Sequence, residues 1–428
     1  MKQLTRLFIP ICLETLFYML SGMVDTLMLS AVGDYAVGAV GTANSYIGIF
    51  IIMFSIISSG MVSVMTQNIG AGRPGVAYQA RQLGLLFNAV AGVLMAVFLF
   101  SGAGAILRMV GIADALYEPA LIYLKIVGGG CILNAVIPIF SSYLRAFGYT
   151  KQPLYATIVG NIANFVMNAV FLFVLHKGVA GVATATVISK ILNLCIVLYF
   201  SHKLISAKNS TERIANKTVL GQIVKVGLPS ACETALYNVA MMLVIRFLNQ
   251  MDAEGLNVTA RSYTATISNF SYCVGAALAQ ANAIMTGELE ECDRGTKRAA
   301  FVGVCVAVCM ETAIVLGSGF IMPLFTDNPE MTALVRKLLA IDIVLEIGRV
   351  TNLVFGQALK TSGDAVFPAV IAAVFMFVFA VGGTWLFGIS MGLMAVGAYI
   401  GLASDECVRA VGMVWRWKTG KWRTKKLV

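Results

Sequence analysis

The chain has 428 residues, of which 59% are hydrophobic and only 12% charged, and its net charge is +10. Soluble domains carry about 25% charged residues, so the composition excludes a water-soluble globular protein and indicates a membrane protein. The positive excess then reads as Lys and Arg on the cytoplasmic side, and no nucleic-acid partner is expected.

Apolar stretches of about 20 residues, each long enough to cross a hydrocarbon core, recur along the chain. They cover 7–28, 38–64, 83–105, 120–141, 154–175, 179–200, 223–248, 260–284, 299–325, 332–358, 366–387 and 392–415. The expected fold class is all-α integral membrane, with twelve transmembrane helices in two pseudo-symmetric six-helix lobes. Lys2 and Arg6 precede the first stretch as in a signal peptide. That stretch is long enough to span, and no convincing small-residue cleavage site follows it.

The first span carries Pro10 and Glu14 and, further on, Asp25 as the one carboxylate in an apolar run, "LSGMVDTLMLSAVG". A charge near a bilayer centre costs roughly 2.5–3.5 kcal/mol even on the lenient insertion scale, so such residues read as functional by default. Pro10 removes a backbone hydrogen bond and marks either a hinge or the start of a helix. The second span offers Asn44 and Tyr46, and the segment just after it Gln67, as cavity-lining candidates. The fourth and sixth carry Lys125 and Lys190.

The fifth span reads "VGNIANFVMNAVF", with Asn161, Asn164 and Asn168 on one helical stripe. One buried Asn can hold helices together; three on a face suggest a polar cavity wall. The sixth span adds Thr184 and Thr186 among small residues. Asp25, Asn164, Asn168 and Thr186 would together offer hard oxygen ligands for a small cation. Alternatively, Asp25 carries a proton.

The longest polar stretch, 201–220, divides the chain into a first lobe at 1–200, a linker at 201–220, a second lobe at 221–415 and a basic tail at 416–428. The halves repeat each other. "PICLETLFY" matches "PSACETALY", pairing Pro10 with Pro229 and Glu14 with Glu233, and "LRAFGYTKQP" matches "LKTSGDAVFP". Six spans per half imply a parallel repeat with the substrate path between the lobes.

In the second half, Glu233, Glu346, Arg349 and Asn352 form a candidate polar site. Glu346–Arg349 and Asp405–Arg409 also have helical ion-pair spacing, and the latter is placed toward the inner end, near water. Tyr263, Asn269, Tyr272 and Gln280 on the polar eighth span are further lining candidates. Aromatic rings with few fixed charges suit varied cations.

With both termini inside, inner segments hold about 21 Lys and Arg and outer segments about six, a strong orientation bias. Trp415 at the end of the last span and Trp417 and Trp422 in the basic tail fit an interfacial belt. Cysteines such as Cys131, Cys195 and Cys305 read as helix-packing residues.

Taken in order, these motifs resemble the multidrug and toxic compound extrusion (MATE) transporters. The resemblance covers essentially the whole chain. It rests on "IPICLETLFYMLSGMVDTLML", "TQNIGAG", "LRAFGYTKQP", "GVAGVATATVIS" and "EIGRVTNLVFGQALKTSGD". It implies secondary active efflux of amphipathic, often cationic compounds, exchanged for inward H+ or Na+. It implies a coupling-ion role for Asp25, with Asn164, Asn168 and Thr186 beside it. Asn168 stands where such transporters commonly have a second acid. Expected partners are small-molecule substrates and membrane lipids. The protein is expected to be a monomer, multi-pass in the plasma (inner) membrane, with both termini cytoplasmic and no cofactor or resident metal beyond the coupling ion. The rival readings are a lipid-linked oligosaccharide flippase of related lobes and a membrane enzyme. Against the latter, the sequence holds no HExxH, nucleophile elbow or paired-His motif.

Overall fold

The computed structural model describes residues 2–30, 34–109, 114–205, 212–251, 256–285, 292–324, 326 and 328–425, and every regular element among them is helical. The first half contributes α1 (Lys2–Ser30), α2 (Asp34–Gly70), α3 (Pro74–Met109), α4 (Asp114–Gly129), α5 (Cys131–Ala146), α6 (Lys151–Ala169) and α7 (Gly178–Leu204). The second contributes α8 (Asn216–Met251), α9 (Leu256–Met285), α10 (Cys292–Ile321), α11 (Pro329–Thr361), α12 (Val366–Phe375) and α13 (Met394–Lys418). A lipid-spanning backbone must satisfy its own polar groups, which is why each apolar stretch is a helix.

The fourth span is broken. α4 and α5 together make one membrane crossing, bent by 42° around Gly130. Two spans end in π winding: α6 continues through Val170–Val174, and α12 through Met376–Val381 and Thr384–Ser390. With these joins the described residues form twelve long helices, six in each half, the number expected of the spans. Eight described helices, and α4–α5 as a bent pair, are apolar enough to qualify as spans by composition. α9, α11 and α13 fall short because they carry the polar groups of the second half. Thr264, Ser268, Asp342, Glu346, Asp405 and Arg409 are all buried, so these helices turn their polarity inward.

The helices pack as two compact units, Ile9–Leu228 and Pro229–Val428 together with Met1–Phe8. The first is centred on Leu99, Leu107, Leu124 and Cys131, the second on Val244, Leu248, Leu338 and Leu345. Large apolar side chains such as Phe98 and Phe100 on α3 and Leu316 and Phe320 on α10 remain exposed for lipid contact. Cys195 and Cys305 are also exposed, so the helix-packing role holds for Cys131 and not for them. Their small size is compatible with either environment.

The sequence repeat is built into the backbone. α5 ends at Gly148 (φ 81°) and α11 at Gly363 (φ 93°), both left-handed. Behind each, the same closure forms: Tyr149 N donates to Leu144 O and Asp364 N to Leu359 O, both at 2.9 Å. Glycine permits this turn without a Cβ penalty. The π segments are followed by a second matched pair of left-handed residues, His176 and Gly178 in one half, Gly392 and Met394 in the other.

Pro10 and Pro229 both lie inside their helices. Neither marks a helix start, which leaves the interior position of Pro10 as the relevant one. The tail also differs from expectation. Trp415 is 56% exposed, as an interfacial residue would be, but Trp417 and Trp422 are buried. They stack at 4.2 Å and both indoles find partners: Trp417 Nε1 donates to Asp293 and Trp422 Nε1 to Trp417 O. A buried indole N–H needs such a partner, and here the fold supplies it.

Candidate functional site

In the first unit, α1 presents Asp25 to α6. Asn168 Nδ2 donates to Asp25 Oδ1 at 2.8 Å and to Asn164 Oδ1 at 3.1 Å. Asn168 is fully buried, and its own Oδ1 has no partner among the described residues. The spacing of four residues places Asn164 and Asn168 one above the other, so one amide group bridges the carboxylate and the second amide. Asn161, on the same stripe, does something else: its Nδ2 donates to Phe17 O at 2.9 Å. It ties α6 to the α1 backbone and does not extend the group around Asp25.

Thr186 reaches this group indirectly. Its hydroxyl donates to Val182 O at 2.9 Å along α7, and the buried Tyr123 phenol of α4 faces both Thr186 and Asn44. Lys190, one turn beyond Thr186, donates to Asn134 Oδ1 at 2.8 Å and acts on Asp25 through space. Asp25 thus has an amide donor in contact and an ammonium nearby, with a phenol linking the two remaining helices. Sequence reasoning named Lys190 only as an intramembrane charge and passed over Tyr123 and Asn134. Lys190 carried a signal, since an ammonium in a span is costly; a tyrosine in an apolar run carried none.

Asn44 and Tyr46 lie in the first half of α2, but Gln67 does not share their level. It sits 23 residues after Asn44 in the same helix, which at 1.5 Å per residue is about 34 Å away. Gln67 therefore belongs to the opposite end of the unit.

In the second unit a cavity of about 490 Å³ opens among α8, α9, α11 and α13. Glu233, Arg349, Asn352, Asn269 and Tyr272 all contribute to its wall. Glu346 is fully buried behind it, paired with Arg349. Tyr263 packs against the apolar core of the unit, and Gln280 is exposed, so neither is in that wall. Asn352 Nδ2 donates to Glu406 Oε2 at 3.0 Å, and Arg349 stands over the Tyr272 ring.

The Asp405–Arg409 pair was expected near water and is instead buried, at 2% and 4% exposure. Arg409 meets Asp405 at 2.7 Å and Glu406 at 2.8 Å. Burying a charge without a partner is strongly unfavourable, and the shared carboxylates resolve this. Lys360 meets Glu233 at 2.7 Å at the same cavity. The wall therefore mixes both signs and most of its cations are neutralised locally.

A family model described as MatE matches residues 10–170 and 229–386. The chain is 32% identical to the "Uncharacterized transporter YisQ" of Bacillus subtilis (strain 168), over 97% of this chain and 94% of that protein. It is 21% identical to the "Probable multidrug resistance protein NorM" of Thermotoga maritima, over 100% and 94%. A crystal structure of MATE in the straight conformation superposes with a TM-score of 0.85 at 21% identity, covering 99% of this chain and 97% of that one. At that identity the likeness concerns the fold.

Proposed function

Because the chain belongs to the MatE family, we propose that it is a secondary active multidrug exporter, moving amphipathic, often cationic compounds outward in exchange for inward H+ or Na+. The observation that carries this reading is the Asp25–Asn168–Asn164 arrangement. A lone carboxylate, held by a buried amide within a spanning bundle, is the group best suited to gain and lose a cation. In the outward-facing state Asp25 takes up the ion. The Asn168 bond and the nearby Lys190 charge are then rebalanced, helix α1 rearranges, and substrate affinity falls. Alternating access needs only that ion and substrate prefer different states or compete for one carboxylate.

Transport of this kind involves no covalent chemistry and no cofactor. The protein works as a monomer in the plasma (inner) membrane with both termini in the cytoplasm, an orientation supported by the charge bias of the loops. The cavity of the second unit, with Tyr272 and Asn269 in its wall, supplies ring faces for cationic substrates.

The test is transport in proteoliposomes under imposed pH or sodium gradients, comparing wild type with Asp25→Asn. Gradient-driven efflux of a lipophilic cation is expected in the wild type and lost in the variant. Undiminished efflux by Asp25→Asn would remove Asp25 from coupling. If neither gradient drives export while lipid-linked oligosaccharide is translocated, the flippase reading replaces this one.

A further inference from the structure

An open groove of about 810 Å³ lies where α10 gives way to α11, within the Pro229–Val428 unit. Val315 of α10 and Pro323 after it form one wall; Ala333, Arg336, Lys337 and Ala340 of α11 form the other. The α11 residues fall at i, i+3, i+4 and i+7, so they share one stripe, and all four are exposed. Asp342, Leu345 and Arg349 line the cavity described above. At 3.6 residues per turn they lie on nearly the opposite side of the same helix. The groove therefore faces away from that cavity, out of the bundle.

Its surroundings are apolar, and its charge is uncompensated. Leu316 and Phe320, on the same stretch of α10, are 73% and 88% exposed, as lipid-facing side chains are. Neither Arg336 nor Lys337 pairs with an acid among the described residues. Glu330, in the first turn of α11, lies two turns before Lys337, about 10 Å along the axis. The loop charge bias puts the α10–α11 turn on the outer face. α11 has 33 residues, which makes it about 50 Å long. That exceeds the roughly 40–45 Å of a bilayer with its headgroups. Arg336, about 10 Å below the start of the helix, then lies near the boundary between headgroups and hydrocarbon. Beyond the two cations the same stripe continues as Ala340, Val344 and Ile347, all exposed. Two adjacent cations above an apolar strip match a ligand with an anionic head and an apolar body.

We propose that this groove binds an anionic phospholipid of the outer leaflet. The phosphate diester accepts hydrogen bonds from the Arg336 guanidinium, whose planar fork suits two phosphate oxygens, and from the Lys337 ammonium. The acyl chains run along Ala340, Val344 and Ile347. Thr326, also in the groove, accepts from Asn328 N at 3.1 Å. Its hydroxyl proton is left for a headgroup oxygen. Two positive charges without a local acid favour a headgroup of net negative charge over a zwitterionic one. The bound lipid would bridge α10 and α11 on the side of the unit away from its cavity.

Native mass spectrometry of the full chain, released from detergent after exchange with phosphatidylglycerol or phosphatidylcholine, tests this. Wild type should retain phosphatidylglycerol in preference to phosphatidylcholine. Arg336→Gln/Lys337→Gln should weaken that retention by about thirtyfold, the worth of two cations near an anionic surface. Ala340→Leu narrows the groove without changing its charge and should weaken it too. Lys177→Gln removes an exposed cation outside the groove and should leave retention at the wild-type level. The substitutions are all at exposed positions, and Ala340→Leu keeps the test decisive if the double variant does not remain monodisperse. Equal retention by wild type and the double variant overturns the proposal. So does equal retention of the two lipids by wild type, or a loss in Lys177→Gln as large as in the double variant. Displacement of the lipid by millimolar glycerol 3-phosphate would make the groove a site for free phosphate esters and overturn its assignment to lipid. The readout is lipid binding, so it is independent of whether Asp25 couples export.

Discussion

Arg145 Nη2 meets Glu14 Oε1 at 2.6 Å, tying the last turn of α5 to α1. The second half repeats the contact with a different cation: Lys360 Nζ meets Glu233 Oε2 at 2.7 Å, tying the last turn of α11 to α8. The two pairs occupy matching places in the sequence repeat, each a few residues before a left-handed glycine. An ion pair kept at both places, with the cation free to be Arg or Lys, serves the architecture. Glu233 faces the cavity, but its first partner is this clamp.

The clamp predicts a measurable coupling. Both members are mostly buried, at 23% and 13% side-chain exposure for Arg145 and Glu14. Their value lies between the exposed and buried limits, about 1–3 kcal/mol. Arg145→Ala and Glu14→Gln should each lower the thermal midpoint in detergent, and the double variant should cost less than their sum. Strict additivity of the two losses would show that the contact contributes nothing.

Replacing Asn168 by Asp should change ion preference. The amide now donates to Asp25; a carboxylate there cannot donate and adds a second negative charge, completing a set of oxygens suited to a hard cation. Sodium dependence of transport should increase, or appear where it was absent. Asn168→Ala should instead weaken coupling by about tenfold to a hundredfold, the worth of a hydrogen bond to a charged group. Unchanged ion dependence in both variants would place the coupling ion elsewhere.

The spans were legible because about 20 apolar residues in a row have few other uses. The group around Asp25 was legible in part, since Asp25, Asn164 and Asn168 are polar residues at helical spacing on an apolar background. Tyr123 was not, because nothing in a single helix shows that its hydroxyl meets α2 and α7. The Asp405–Arg409 pair was visible as helical spacing, but its burial emerges only when α13 is assembled with α9 and α11. The bend at Gly130 did carry a signal, the run Gly128, Gly129 and Gly130, since glycines weaken a helix interior.

A close backbone crossing yields a third prediction. Gly60 on α2 and Gly227 on α8 pass so near that a Cβ on Gly60 would strike Ile223 O and one on Gly227 would strike Ile56 O. The obstacle is backbone on both sides, so no side chain can swing away. Gly60→Ala and Gly227→Ala should each destabilise by about 1–3 kcal/mol, the usual range for overpacking. Gly41→Ala, with nothing within 4 Å of its Cβ, is the control on the same helix. Equal thermal midpoints for Gly60→Ala and Gly41→Ala would refute the crossing.

The tail should detach when Asp293 is removed. Asp293 Oδ1 accepts from Trp417 Nε1 at 2.7 Å, and Oδ2 pairs with Lys297 at 2.8 Å. Trp417 in turn stacks on Trp422, packs edge-on against Phe355 and gives its carbonyl to Trp422 Nε1. One carboxylate at the start of α10 thus holds the end of α13 and the turn after it. Asp293→Ala leaves a buried indole N–H without its acceptor, at a cost of about 1–3 kcal/mol. Asp293→Asn retains an acceptor oxygen and should lose less. In a background carrying Trp385→Phe and Trp415→Phe, Asp293→Ala should shift the remaining tryptophan emission to longer wavelength. It should also speed trypsin cleavage after Lys418 and Lys421. Asp293→Asn should fall between Asp293→Ala and wild type on both measures. If instead the alanine variant keeps both the emission and the cleavage rate of its parent, the stack is held by Phe355 and the tryptophans alone, and Asp293 is not the latch.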